Sequence, residues 1–340
     1  MKKSVFLGTI AAATLTAGAA MAQQTMADVQ ARGELNCGVS TGVNGFSAPD
    51  ANGVWQGFDV AVCRAVAAAV LSDPMAVNFV PTTGQTRFTA LASGEVDILP
   101  RNTTWTFSRD VDLRLTFIGV NYYDGQGFMV NRALGVSSAT ELDGATVCIQ
   151  TGTTTELNLA DYFRVNNMSY EPVPIETNAE AQQQYLAGAC DVYTTDVSGL
   201  AATRASFESP GDHVILPEVI SKEPLGPVVR NGDQAWGKLV RWVLYGLVEA
   251  EELGVTSQNI DEMLKSANPG IKRLLGVEGN IGQGMGLTND FMVRVIRHLG
   301  NYGEMYERHV GANTPVGIPR EESLNALWTK GGLMYAMPFR

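Results

Sequence analysis

The sequence predicts an α/β protein built as two similar halves, and three observations point there. Apolar runs of strand length alternate with amphipathic helical stretches, as a mainly parallel sheet with crossover helices requires. Two short segments match each other, LASGEVD at 91–97 and YLAGACD at 185–191, each a helix end, a glycine stop and a strand start. Each then runs into a polar strand end bearing threonine, NTT in the first half and TTD in the second. Ligands of open α/β sheets bind outside the carboxyl ends of the strands, so function is expected at these two ends.

The elements follow in order. Residues 1–22 open with Met1, Lys2 and Lys3, continue as an apolar run from Val5 to Ala20 and close on Ala20-Met21-Ala22, the pattern of a cleaved secretory leader. The mature chain is therefore expected to begin after Ala22 and to be exported. LNCGVS at 35–40 reads as a strand, followed by a loop from Gly42 to Gly53. In GFDVAVCRAVAAAVL, Phe58, Val62, Val66 and Val70 fall on one face at four-residue steps, which predicts a helix against a sheet. VNFVP is a strand, RFTALASG a helix stopped at Gly94, and EVDILP the next strand. The second half repeats this: GATVCIQ is a strand, a helix opens after Thr153, and AQQQYLAGACDVYTTD gives a helix, a stop and a strand. From Asp233 the pattern turns helical, with Trp236, Leu239, Val240, Val243, Leu244 and Leu247 on the buried stripe. Glu249, Glu251 and Glu252 disfavour a membrane-surface reading of that helix.

Composition narrows the function. The chain has 340 residues and a formal net charge of −11, more negative by two once Lys2 and Lys3 leave with the leader. That sign argues against nucleic acid or anionic lipid as partner. Roughly 320 mature residues exceed what one core usually holds, so two domains are expected. Four cysteines, Cys37, Cys63, Cys148 and Cys190, in an exported chain favour disulfides, and four allow three pairings. Cys37 with Cys63 and Cys148 with Cys190 keeps each bond within one half. Metal is not expected, because no C-x-x-C occurs and His213, His298 and His309 are scattered.

The candidate chemistry lies near the strand ends. Thr103, Thr104 and Thr106 in NTTWTFSRD sit beside Arg109, whose planar guanidinium can hold a carboxylate by two parallel bonds. Arg109 is equally consistent with a surface ion pair to Asp110 or Asp112, and the hydroxyls with a polar turn. In GTTTE, Thr153 and Glu156 fit a capping box, and the same helix start can receive an anion. Asp196, ending the matching strand of the second half, offers a negative charge or a helix cap. One cation, one anion and a ring of hydroxyls suit a zwitterion. The glycines of GVEGNIGQGMG lack phosphate-loop spacing, and no G-x-S-x-G is present, so hydrolase chemistry is not expected.

GFDVAV, RFTALASGEVD, NTTWTFSRDVD, YYDGQGFMV, IQTGTTTE and DVYTTD, in this order over essentially the whole mature chain, resemble the periplasmic amino-acid-binding proteins of ABC importers. The likeness is greatest to the general L-amino-acid, or glutamate/glutamine/aspartate/asparagine-binding, branch, including the C-terminal LNALWTKGGLMYA. The resemblance implies a two-lobed flytrap of type II with extra C-terminal helices. It places the first part of lobe one at 23–122, lobe two at 123–215, and the return to lobe one with the helical extension at 216–340. It also implies that Arg109 binds the α-carboxylate with Thr104 and Thr106 beside it, that Thr154 meets the same carboxylate from the other lobe, and that Asp196 takes the α-ammonium, helped by backbone near Asn102. Where relatives carry a stacking aromatic, Val43 and Asn44 offer none, and Phe46 is expected on the wall instead. Arg101 replaces a small hydroxyl residue and is expected to set side-chain selectivity. The implied partners are a free L-amino acid and ABC permease subunits, with a monomeric chain and no cofactor. The rival is a same-fold enzyme of dehydratase type, for which Glu156 would be the spare carboxylate.

Overall fold

The computed structural model describes residues 24–340, so the expected leader and its cleavage after Ala22 lie outside the described residues. Helix α1 (Gln24–Arg32) leads into β1 (Leu35–Val39), a two-residue hairpin pair β2 (Ala48–Pro49) and β3 (Trp55–Gln56), and helix α2 (Phe58–Leu71). Then come β4 (Val77–Pro81), α3 (Arg87–Ser93), β5 (Leu115–Phe117) and β6 (Tyr122–Asp124). The first sheet is assembled from both ends of the chain. β4 pairs in parallel with β1, Cys37 bridges to Ile98, Leu99 bridges to Val228, and the late strand β13 (Val228–Arg230) pairs with β5. The strand expected over EVDILP is reduced to Ile98 and Leu99; Pro100 has no N–H with which to extend the pairing.

The second sheet lies between the two visits to the first. It runs β11 (His213–Ile215), β7 (Gln126–Asn131), β10 (Val192–Asp196), β8 (Ala145–Gln150) and β9 (Tyr170–Ile175), with α4 (Thr154–Val165), α5 (Asn178–Leu186) and α6 (Val197–Ala205) as its helices. β10 is parallel to β8 and antiparallel to β7. Its core gathers Phe128, Val147, Leu159 and Phe163 on one face and Met129, Tyr185 and Tyr193 on the other.

Two strands join the lobes. β6 enters the second lobe and β12 (Glu223–Leu225) leaves it, and they pair antiparallel as Glu223–Asp124, Pro224–Tyr123 and Leu225–Tyr122. Leu216 and Ile220 still donate backbone bonds to Phe128 and Gln126 of the second sheet, so the return to the first lobe falls at Glu223 rather than at residue 216. At the crossing a Cβ on Gly125 would lie 2.2 Å from Val219 Cγ1 and 2.8 Å from the Ser221 carbonyl oxygen, and only glycine lets the two strands pass this close.

The remaining helices are α7 (Gln234–Glu252), α8 (Ile260–Met263), α9 (Pro269–Leu274), α10 (Phe291–Leu299) and α11 (Tyr302–His309), and they enclose the first lobe. α7, α10 and α11 pack on α2, so α2 is buried on nearly every side, well beyond the single face its four-residue pattern suggests. Its alanines 65, 67, 68 and 69 have no exposure and let the covering helices approach. Past α11, Asn325 accepts from the Tyr123 N–H at 2.7 Å and donates to its carbonyl at 2.9 Å, which clamps a joining strand to the C-terminal extension. Both disulfides have the expected pairing: Cys37–Cys63 ties β1 to α2, and Cys148–Cys190 ties β8 to the approach of β10.

Candidate functional site

The cleft between the lobes is where the two polar strand ends meet. Its wall includes Ser40, Val43, Arg87, Arg101, Asn102 and Thr104 from the first lobe, and Gln150, Thr153, Thr154, Thr155, Asn178, Tyr193 and Asp196 from the second. The lobes touch across it. Gln85 Nε2 donates to Thr151 Oγ1 at 3.0 Å, and Asn178 Nδ2 reaches the Gly42 carbonyl at 3.4 Å. A Cβ on Gly84 would stand 2.5 Å from the Thr151 carbonyl oxygen of the other lobe. Gly84→Val is therefore expected to prop the lobes apart and weaken ligand binding while leaving thermal stability without ligand unchanged; small-angle scattering with and without ligand would show the incomplete closure.

In the second lobe Thr153 caps α4, its hydroxyl accepting from the Glu156 N–H at 3.2 Å. Glu156 itself takes the Gly152 N–H at 3.0 Å, so the capping box is displaced by one residue. The first N–H groups of the helix, at Thr154 and Thr155, have no carbonyl partner within it, and both residues line the cleft. Asp196 is the N-cap residue of α6 by position, yet its side chain makes no capping bond. Asp124 supplies the local acceptor instead, bonded to the Ser198 hydroxyl and, at 3.4 Å, to the Ser198 N–H. The Asp196 carboxylate is thereby left to the cleft.

In the first lobe Arg109 is buried and makes none of the ion pairs found among the described residues; Asp110 bonds Trp105 Nε1 instead. Arg109 donates to the Thr104 carbonyl at 3.0 Å and lies 5.2 Å over the Phe88 ring, one layer behind the cavity wall. Thr106 does not reach the cleft: its hydroxyl accepts from the Arg109 N–H at 3.3 Å, a local helix-start contact. Phe46 is not on the wall either. It is fully buried and packs edge-on against Tyr122, held by the first-lobe core. Arg101 does line the cleft, its Nε donating to the Thr82 carbonyl at 2.9 Å. Asn102 adopts a positive φ of 36°, and its N–H bonds Asp59 at 3.2 Å.

Two functional candidates escaped the sequence reading. Arg87, the first residue of α3, lines the cavity although it sits in a segment read only as a helix; a cation opening an apolar helix was the available signal. Glu223, on the joining strand β12, is buried and accepts from Thr104 Oγ1 at 2.6 Å, Thr154 Oγ1 at 2.9 Å, Asn158 Nδ2 at 2.7 Å and Ser221 Oγ at 2.6 Å. It joins both lobes through one carboxylate, and no sequence pattern marked it. Because Thr104 and Thr154 give their single hydroxyl protons to Glu223, what Thr154 can still donate toward the cleft is its backbone N–H.

The site is electrostatically mixed. Burial pushes the Asp59 carboxyl up to about 7, against the lowering pull of the Asn102 N–H and the Arg101 charge. Burial, then the negative charges of Asp124 and Glu223, hold Asp196 well above the usual carboxylate range; Arg87 and Arg109 oppose this. Asp124 is raised to about 6 by burial. Arg101 and Arg109 are each lowered to about 10 by burial and remain cationic at neutral pH.

Comparison with known proteins agrees with this geometry. The family of bacterial extracellular solute-binding proteins, family 3, matches residues 35–268. A glutamate/glutamine/aspartate/asparagine-binding protein of Rhodobacter capsulatus is 65% identical over 341 residues, covering 100% of both chains. A general L-amino acid-binding periplasmic protein of Rhizobium johnstonii is 55% identical over 343 residues, again covering 100% of each. Among solved structures, an ABC-transporter periplasmic binding protein from Brucella ovis with glutathione bound is 55% identical, with a TM-score of 0.90 over 93% of this chain and 99% of that one. A two-lobed α/β cleft with free charges of both signs on facing strand ends, matched along its length by these relatives, identifies the chain as a member of the extracellular solute-binding proteins of family 3.

Proposed function

We propose that this chain captures a free L-amino acid, with glutamate, glutamine, aspartate and asparagine foremost, by closing its lobes, and delivers it from the periplasm to an ABC permease. The observation behind this reading is that Asp196 makes no capping bond and, with the start of α4 beside it on the second lobe, faces buried guanidiniums of the first lobe across a narrow cleft. Asp196 receives the α-ammonium. The Thr154 N–H receives the α-carboxylate together with Arg109, whose guanidinium turns from the Thr104 carbonyl into the cleft to meet it, with Thr104 positioned by Glu223. Desolvating both ligand charges is tolerable only because each gains a partner. Closure is favoured by contacts the ligand makes in that form alone. The names of the Rhodobacter and Rhizobium relatives support the ligand class. Glutathione, bound by the Brucella protein, carries the same α-ammonium and α-carboxylate on its γ-glutamyl end and belongs in the ligand panel. The protein acts as a monomer and turns nothing over.

The test is thermal unfolding of protein stripped of ligand by denaturation and refolding, against the twenty L-amino acids, glutathione, and deaminated or decarboxylated analogues. Ligand at about 100 times its Kd should add about 2.7 kcal/mol. No shift with any amino acid rejects the reading, and conversion of the ligand seen by mass spectrometry would favour an enzyme.

Binding should also depend on pH. The raised Asp196 carboxyl binds a proton that a bound ammonium must expel, so affinity strengthens as pH rises toward and through the raised value, by up to about one log unit per pH unit. Calorimetry in buffers of different ionisation heat should detect proton release; affinity that does not strengthen as pH rises above the ordinary carboxylate range would contradict it.

A further inference from the structure

The two lobes also meet in an apolar contact supplied by the C-terminal extension. After α11 the chain turns through a short loop at 311–318, rooted in the first-lobe core by Val310, which has no exposure. Thr314 ties the loop together: its N–H and hydroxyl both donate to the Gly311 carbonyl, at 3.0 and 2.8 Å, and its hydroxyl oxygen accepts from the Gly317 N–H at 3.3 Å. The Ile318 N–H then returns to the Val310 carbonyl at 2.9 Å. Pro315 and Gly317 are exposed, yet Val316 between them is only 7% exposed. Its partners are Ala201 and Ala202 of α6 in the second lobe, with Val43, Ile215 and Ile318 closing the cluster. On the first-lobe side Gly45 makes room, since a Cβ there would stand 2.8 Å from Val316 Cγ2 and 2.9 Å from the His309 carbonyl oxygen. Val43 also lines the ligand cleft, whereas Val316 does not. The loop lies beyond residues 35–268, the span that matches the family, so this contact is an addition to the shared scaffold.

We propose that loop 311–318 is a clasp, in which Val316 seats on Ala201 and Ala202 only when the lobes close and thereby sets how long a captured ligand is held. This rests on the capture-by-closure reading above and on no particular ligand. Opening the lobes returns the apolar faces of Val316, Ala201 and Ala202 to water, so their burial favours the closed form without any ligand atom taking part. Val316 is thus a positioning residue for closure. Ligand enters the open form, before the clasp engages, so the clasp acts on dissociation and not on association. It also acts alike on every ligand, because it touches none.

The experiment follows association and dissociation of L-glutamate and L-glutamine by stopped-flow fluorescence on stripped wild type, Val316→Asn and, from the opposite lobe, Ala201→Asp. Either substitution should speed dissociation of both ligands by about tenfold or more, with association nearly constant. The unfolding midpoint without ligand, which reports the open form, should barely move. Ala201→Asp serves if the Val316 variant fails to fold. Unchanged dissociation, or a lowered midpoint as the sole effect, overturns the clasp and makes Val316 an ordinary core residue. A loss confined to one ligand overturns it too, because a clasp cannot tell ligands apart. If the wild type binds no amino acid, the amino-acid reading falls by itself. The clasp is then judged on ligand-free protein by spin-label distances between the lobes: Val316→Asn should deplete the closed fraction, and an unchanged distribution overturns the proposal.

Discussion

Asp196→Ala is expected to weaken amino-acid binding by about 3–5 kcal/mol, the cost of leaving one member of a buried charge pair without its partner. In Kd this is on the order of a hundredfold to several thousandfold. The unliganded protein should keep its stability at neutral pH, because the lost carboxylate makes no capping bond and is crowded by Asp124 and Glu223. Calorimetric titration with glutamate and glutamine, paired with thermal midpoints without ligand, separates the two effects. A deaminated analogue gives the sharper control: it lacks the ammonium, so the variant should cost it little. An unchanged Kd for the amino acids would remove Asp196 from the site.

Trp236→Ala has its large effect elsewhere. Trp236 is among the largest fully buried side chains, and its indole N–H donates to the Asp97 carbonyl at 2.9 Å, joining the start of α7 to the residue just before the Ile98–Leu99 pairing. Its own backbone N–H is capped by Asp233, which also accepts from the Thr25 N–H, so α1, α7 and the sheet meet here. Truncation should destabilise by about 3–5 kcal/mol, read as a lower urea midpoint. The side chain is not on the cleft, so affinity in the absence of denaturant should hold within a few fold. Lost binding with an unchanged midpoint would mean the site extends into this core.

Much of this was legible in the chain. The paired LASGEVD and YLAGACD segments foretold two lobes because a glycine stop before a strand is a local requirement of each α/β unit, readable within a few residues. Asp196 was visible as the polar end of a strand, and the disulfide pairing followed from keeping each bond in one half. Other features depended on contacts across long stretches of sequence. Phe46 looked like a wall residue because its loop was known and its neighbours were not; Tyr122, far along the chain and itself stacked on Tyr306, draws it inward. Thr106 looked like Thr104, but a local contact with Arg109 claims its hydroxyl. Arg87 was hidden inside a helix pattern, whose periodicity reports which face is buried and says nothing of a cation at its first turn. Glu223 draws partners from Thr104, Thr154 and Asn158, none near it in sequence.

Each disulfide closes a loop inside one lobe: Cys37–Cys63 stiffens the first and Cys148–Cys190 the second. The strands that join them, β6 and β12, are held by hydrogen bonds and by the Asn325 clamp, with no covalent tie among the described residues. The molecule is therefore a pair of covalently hardened jaws on a soft pivot. Oxidation fixes the shape of each gripping surface and leaves the stroke free, so a reductant should blunt the grip while the jaws still swing.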